Sequence, residues 1–323
     1  MKFGQLRLDD AEGAVLVHSL RTNERTLRKG RILDANDIEH LVNSGFSEVT
    51  AANLEDGDIS ENDAARRLAT STYDDNSLKL GTAGTGRVNI FANIRGIFVI
   101  NRDAVDRINL LDEDITISTI SPYSPTEVGQ LVATVKIIPF AVNEVTLSQC
   151  EEIALQSNGL FSISPYQNQR TGLLQTVLAN FRKSLLKKGK EVTSSRLASM
   201  GLSLNIEKTA DHNKPSIEDA LSTFQQSKCD ILLILGASAI ADRRDVVPDA
   251  IVSAGGEIIQ LGMPVDPGNL TLLARLGSMW IVGLPGSARS PRVHGSDWIV
   301  QRLVAGLDVS ASDIRAMGVG GLL

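Results

Sequence analysis

The residues best suited to chemistry follow one continuous apolar run. They read Gly236-Ala237-Ser238-Ala239-Ile240-Ala241-Asp242-Arg243-Arg244-Asp245. The small residues at the front let backbone N–H groups approach an anion, and the Ser238 hydroxyl adds a donor. Arg243 and Arg244 carry the charge to neutralise a phosphate, while Asp242 and Asp245 are the carboxylates that would hold a hydrated Mg²⁺ and act catalytically around it. The competing reading is a helix start with a capping acid.

Two more loops have the same character. Gly262-Met263-Pro264-Val265-Asp266-Pro267-Gly268-Asn269 sets two prolines around an aspartate and ends in a side-chain amide. Such a loop is rigid and has one flexible point, suited to reading the edge of a ring, although the same residues are also the commonest turn formers. Gly283-Leu284-Pro285-Gly286-Ser287-Ala288-Arg289-Ser290-Pro291 again permits close backbone approach. Its Arg289 could take a phosphate through two parallel bonds, or be a solvated turn arginine. Elsewhere the signals are weaker. Gly81-Thr82-Ala83-Gly84-Thr85-Gly86-Arg87 lacks the lysine and following hydroxyl of a phosphate-binding P-loop and reads as a flexible hairpin or loop. Lys183, Lys187, Lys188 and Lys190 read as a solvated helix face. His40 and His212 have no metal-partner spacing and are expected at the surface, and no GxSxG motif supports covalent acyl chemistry.

These loops need a scaffold, and the second half of the chain supplies its pattern. Beyond about residue 167 strand and helix alternate, as in parallel βαβ units. Strands are expected at 172–176, 202–206, 230–235, 257–261 and 279–282, and helices at 183–200, from 216, at 246–254 and at 298–305. The run Asp230-Ile231-Leu232-Leu233-Ile234-Leu235 has the continuous apolar character of a strand buried on both faces, so it is expected at the sheet centre. The first half reads differently. Asp34 caps an amphipathic helix that ends at Gly45, Ser60 opens a second, and β-rich runs at 88–91, 96–100, 115–118 and 132–140 predict a small sheet or barrel. At 323 residues two domains are expected, divided as 1–167, mixed α and β, and 168–323, α/β.

Composition narrows the function classes. Hydrophobic residues make up 42% and charged residues 22%, a globular balance, and the 4% of aromatics leaves the core to aliphatic side chains. A formal charge of −6 argues against nucleic acid or an anionic membrane as partner. Cys150 and Cys229 form no metal or disulfide pattern, the first residues lack a long apolar run, and no stretch reaches membrane-spanning length, so a reducing cytoplasm is expected.

In their order along the chain, the strand and loop at 235–245, the 264–269 loop and the Gly283-Leu284-Pro285-Gly286 turn resemble the molybdopterin-binding domain of the adenylyltransferases and molybdenum-insertion enzymes of molybdenum cofactor synthesis. The wording of the motifs is similar to a bacterial branch of molybdopterin-binding proteins, a likeness extended by Ala288-Arg289-Ser290-Pro291, Asp297-Trp298, Lys29-Gly30-Arg31, Gly86-Arg87-Val88-Asn89 and residues 132–140. The resemblance implies an α/β fold with a three-layer, parallel-sheet C-terminal domain beside a β-rich mixed N-terminal domain. It implies molybdopterin as ligand, with Mg²⁺ and ATP if the chain is an enzyme. It assigns the ligand to Gly236, Ala237, Ser238, Ala239, Arg243, Pro264, Asp266, Pro267, Gly268, Asn269, Pro285, Gly286, Ala288, Arg289 and Ser290, and a metal to Asp242 and Asp245. A molybdoenzyme, another cofactor-synthesis protein or a second copy of the chain are the partners it leaves open. There are departures. Where the enzymes present Thr-Gly-Asp-Glu after the first strand of this domain, the chain has Thr176-Val177-Leu178-Ala179, and their Gly-Gly-x-Ser loop becomes Gly236-Ala237-Ser238-Ala239. Binding tolerates such changes better than catalysis, which needs metal and reacting groups placed together. The resemblance therefore implies a binding or handling protein first, an adenylyltransferase or molybdotransferase second, and a regulatory or scaffold protein with a vestigial pocket third.

Overall fold

The computed structural model describes residues 1–73, 76–157, 159–179 and 182–323. The chain divides into two compact units, Met1–Ile163 and Ser164–Leu323. No helix among the described residues is long and apolar enough to cross a membrane.

In the first unit the two expected helices form where their caps lie. The helix Ala35–Asn43 opens with a reciprocal cap, in which Asp34 accepts the Asp37 N–H at 2.8 Å and the Asp37 carboxylate accepts the Asp34 N–H at 3.3 Å. Asp37 is fully buried, and Arg25 and Arg31 compensate its charge at 2.8 and 2.5 Å. Ser60 caps the helix Glu61–Ser71. A four-stranded antiparallel sheet, in the order Ile115–Thr119, Leu131–Ile137, Arg87–Ala92 and Leu78–Leu80, packs its alternate residues Val88, Ile90, Ile115, Val135 and Ile137 into one core with Leu68, Ile108 of a helix Arg102–Leu111 and Leu147 of a helix Glu144–Gln156. The glycine-rich stretch closes a hairpin. Gly84 and Arg87 exchange backbone bonds at 3.0 Å in both directions around Thr85 and Gly86, both at positive φ, the geometry of a two-residue turn. A Cβ on Gly86 would lie 2.7 Å from the Ile137 carbonyl, so this turn is packed tightly and is not a loop open to a phosphate.

The second unit is a six-stranded sheet between two helical layers. Its elements in chain order are β1 (Thr171–Val177), α1 (Lys183–Ala198), β2 (Leu204–Asp211), α2 (Lys214–Gln226), β3 (Ile231–Leu235), α3 (Val246–Ser253), β4 (Glu257–Leu261), β5 (Leu272–Leu276), β6 (Met279–Leu284), α4 (Gly295–Val304) and α5 (Ala311–Arg315). The strand order is β2-β1-β3-β6-β5-β4. Strands β2, β1, β3 and β6 run parallel, while β5 is antiparallel to both β6 and β4. All of β3 is buried, as its uninterrupted apolar run requires. Alternation divides its side chains between two cores. Ile231, Leu233 and Leu235 join Leu197 of α1 with Ile299 and Leu303 of α4, whereas Leu232 and Ile234 join Leu221 and Phe224 of α2 with Val247 and Ile251 of α3.

Two strands of this sheet differ from the sequence reading. The strand expected at 202–206 runs from Leu204 to Asp211, because β2 is an edge strand whose alternate residues face solvent, and Lys208 and Asp211 hide its period. Strand β5 was not anticipated. It joins β6 through Gly277 and Ser278, with Gly277 at φ 62°, so a two-residue hairpin replaces the crossover expected between parallel strands.

Candidate functional site

Register shows which loops share an edge. Leu174, Ile234, Gly283, Leu272 and Leu261 pair in one row across β1, β3, β6, β5 and β4. Because β4 is antiparallel to β5, which is antiparallel to β6, β4 points the same way as the parallel strands. The loops after β1, β2, β3, β4 and β6 therefore all leave one edge of the sheet, where open α/β sheets collect ligands.

The 236–245 loop is anchored at both ends. Ile240 is buried over β6, where a Cβ on Gly283 would lie 2.9 Å from its Cδ1, so the glycine in the strand makes room for the loop. Gly236 is buried, and a Cβ there would meet the Ser238 carbonyl at 2.7 Å, which forces a tight turn that leaves Ser238 and Ala239 exposed. The Ala237 N–H donates to Thr176 Oγ1 at 2.9 Å. That hydroxyl lies 2.8 Å from His212 Nδ1, and His212 Nε2 lies 3.0 Å from Ser238 Oγ. His212 is half-buried and staples the ends of β1 and β2 to the loop, so the expectation of a plain surface histidine is corrected. Burial holds its pKa below the ordinary value, opposed by the nearby Asp245 charge.

The charged end of this loop is occupied by protein groups. Asp242 accepts Arg244 Nε at 2.8 Å on Oδ1 and Arg244 Nη2 at 3.2 Å on Oδ2, and these bonds pull its pKa down to about 2. Asp245 Oδ2 accepts the N–H groups of Ala241 at 2.6 Å and Asp242 at 3.0 Å. Both carboxylates thus already accept protein donors, and among the described residues no cluster of three or more His, Cys, Asp or Glu side chains is arranged to hold a metal. Arg243 is exposed and donates to the Ile258 carbonyl of β4 at 3.3 Å.

The 285–290 loop meets the first directly. Arg289, half-buried, donates Nη2 to the Gly236 carbonyl at 3.2 Å, and burial lowers its pKa. Pro285 and Ala288 are buried, Gly286 is exposed and Ser290 is half-buried. From α1, Arg196 holds this loop in place. It donates to the carbonyls of Ala288, Ser290 and Arg292 and pairs through Nε with Asp297 at 2.8 Å. Beneath lies His294, 1% exposed, bonded to Ser287 Oγ at 2.7 Å and Ser296 Oγ at 3.1 Å. Burial and the Arg196 charge lower its pKa from 6.5 to about 4. An imidazole kept neutral in the fold stabilises it fully above the unfolded value of 6.5, and that contribution is lost as pH falls toward 4. The shift corresponds to about 3 kcal/mol. Urea melts of wild type and His294→Asn should therefore show a stability gap at pH 7 that narrows by that order at pH 4; a gap independent of pH would contradict the assignment.

The 262–269 loop leaves the same edge at β4 and is tied to α4. Pro267, whose bond to Asp266 is cis, accepts the Gly295 N–H at 2.8 Å, and Asp266 pairs with the C-terminal residues Gly321 and Leu323. Pro264, Asp266 and Asn269 are exposed, Pro267 is half-buried and Gly268 is buried. Gly268 sits at φ 146°, with the Gly295 Cα 3.0 Å from where a Cβ would be. Gly268→Ala should accordingly cost about 2 kcal/mol through strain and the clash with backbone, measured as a drop in the urea midpoint; no change would mean that this contact gives way freely.

A cavity of about 180 Å³ lies between α1 and α4 and is lined by residues that include Thr193, Arg196, Leu233, Leu284, Asp297 and Val300, none of them among the residues to which the resemblance assigns the ligand. Sequence reasoning missed Thr176, His212, Arg196 and His294. Thr176 and His212 end or follow parallel strands, so the rule that drew attention to residues after β3 would have found them had it been applied to β1 and β2. Arg196 and His294 carried no sequence signal beyond a basic helix and a turn.

The fold is thus an α/β unit with five loops on one sheet edge. The family described as a domain of unknown function (DUF8806) matches residues 5–53, a stretch that takes in all but the first residues of the three-stranded sheet of Lys2–Arg7, Glu48–Asn53 and Val15–Leu16. No curated protein sequence matches the chain. Among solved structures, it is similar to the molybdopterin biosynthesis MoeA protein of Pyrococcus horikoshii, with 9% identity, 94% of this chain and 75% of that one covered, and a TM-score of 0.33. It is also similar to a molybdenum cofactor biosynthesis protein described as putative from Corynebacterium diphtheriae, with 14% identity, 44% and 100% covered, and a TM-score of 0.31. A third is the molybdopterin biosynthesis enzyme MoaB of Thermus thermophilus, with 17% identity, 43% and 97% covered, and a TM-score of 0.30.

Proposed function

We propose that the second unit binds molybdopterin, free or in nucleotide form, at the carboxyl edge of its sheet, and that the chain handles this ligand in the synthesis or delivery of the molybdenum cofactor. The observation that carries the reading is the joining of the first and third motif loops by Arg289 and the Gly236 carbonyl, on the edge that the 262–269 loop also leaves. In this reading the N–H groups of the exposed Ser238 and Ala239 and the Ser238 hydroxyl receive the ligand's phosphate, with Arg289 supplying positive charge. Asp266 and Asn269, exposed on their loop, read the ring edge. Burial pushes the two free thiols up, to about 11 at Cys150 and about 12 at Cys229, so neither is a reactive group.

Binding without turnover is the form of this function that the site favours, because Arg244 and backbone donors occupy Asp242 and Asp245. The test is a titration of the intact protein with molybdopterin, with and without ATP and Mg²⁺. Saturable binding with no pyrophosphate release is expected. Mg²⁺-dependent pyrophosphate release would replace it by the adenylyl-transfer reading, and absence of binding would leave a scaffold protein with a vestigial pocket.

A further inference from the structure

Thr176, His212 and Ser238 are connected as an orienting group, a base and a nucleophile are connected in hydrolytic enzymes. Ser238 Oγ stands 3.0 Å from His212 Nε2, and His212 Nδ1 stands 2.8 Å from Thr176 Oγ1. Such a set is recognised by geometry and not by position in sequence, which is why the missing GxSxG motif does not decide the matter. The reaction requires one tautomer of this ring, with the proton on Nδ1. Thr176 Oγ1 has two lone pairs; the Ala237 N–H takes one, and Nδ1–H can take the other, so that the Nε2 lone pair faces the Ser238 hydroxyl. Burial lowers the pKa of the ring and so favours the neutral form that a base needs, against the nearby Asp245 charge. The nucleophile is accessible, since Ser238 and Ala239 are exposed on the turn that Gly236 permits. A plain staple would need no exposed hydroxyl on the free side of the imidazole.

We propose that Ser238 is a nucleophile activated by His212 and that this edge of the sheet cleaves small carboxylic esters. Ser238 Oγ bonds to the ester carbonyl carbon as its proton passes to His212 Nε2. The carbon–oxygen bond to the alcohol then breaks, and the departing oxygen takes that proton. Water, deprotonated by the same nitrogen, attacks the acyl-serine and releases the carboxylic acid, and the proton returns to Ser238. No metal or redox partner enters the balance. Thr176 acts as a positioning residue, and with a hydroxyl in place of a carboxylate behind the base the site is matched to esters with good leaving groups. The proposal shares a loop with the pterin reading but does not rest on it.

p-Nitrophenyl acetate tests it on the intact protein. A burst of p-nitrophenolate approaching one per chain is expected, with an acetyl group found by mass spectrometry on Ser238. Ser238→Ala, an exposed change that spares the fold, should abolish both. His212→Gln should slow acetylation by about 10²-fold or more, and Thr176→Val should slow it while Thr176→Ser restores it. Absence of acetyl-Ser238 in the wild type, or equal acetylation rates in wild type and His212→Gln, would overturn the proposal. The molybdopterin titration, which needs no proton transfer, reads independently of either outcome.

Discussion

Arg196→Met is expected to destabilise the second unit by about 3 to 5 kcal/mol, the range for removing one partner of a buried ion pair. The guanidinium serves four acceptors, the carbonyls of Ala288, Ser290 and Arg292 and the Asp297 carboxylate, and both ion-pair side chains are less than 20% exposed. Burial already raises the Asp297 pKa against the pull of Arg196. Without the arginine that carboxylate would take up a proton or remain as an uncompensated charge. Arg196→Lys should rescue little, since one ammonium cannot reproduce a planar fork across four acceptors. Adding Asp297→Asn to Arg196→Met should recover part of the loss. Urea midpoints at pH 7 decide the case: a loss below about 1 kcal/mol would place the pair among exposed bridges of small value.

Much of the fold was legible because its signals are local. Residues 231–235 have no polar position, and only a strand covered on both faces accepts that; Asp34 and Ser60 start helices where their side chains reach back to N–H groups. What was hidden depends on distant pairing. Residues 272–276 are assigned no element from sequence and become a strand only by pairing with β6, and β2 turns every second residue to solvent because side chains alternate between the two faces of a sheet. The site divides in the same way. Gly236, Ser238 and Arg289 carry their meaning in type and spacing, whereas Thr176 and His212 gain theirs only when β1, β2 and β3 lie side by side. Asp242 and Asp245, read from sequence as metal ligands, accept donors from Arg244 and the loop's own backbone in the fold, partners that their spacing alone does not reveal.

Ser238→Trp carries the other large expected effect. The residue is exposed at the tip of its turn, so the indole leaves the core untouched while filling the space above the Ser238 and Ala239 N–H groups. Molybdopterin affinity should fall by at least two decades, about 3 kcal/mol, with the urea midpoint unchanged. Ser238→Ala, which removes one hydrogen bond and no space, should cost roughly 0.5 to 1.5 kcal/mol. Equal affinity of wild type and Ser238→Trp would remove the loop from the ligand's surroundings.

Hydrogen–deuterium exchange of the intact protein, with and without saturating molybdopterin, bears most directly on the claim that three loops on one sheet edge form the binding site. The account predicts slower exchange at 236–245, 262–269 and 283–290, with the helical faces and residues 1–163 unchanged. Slowing confined to other segments, or identical exchange in the presence and absence of the pterin, would contradict it.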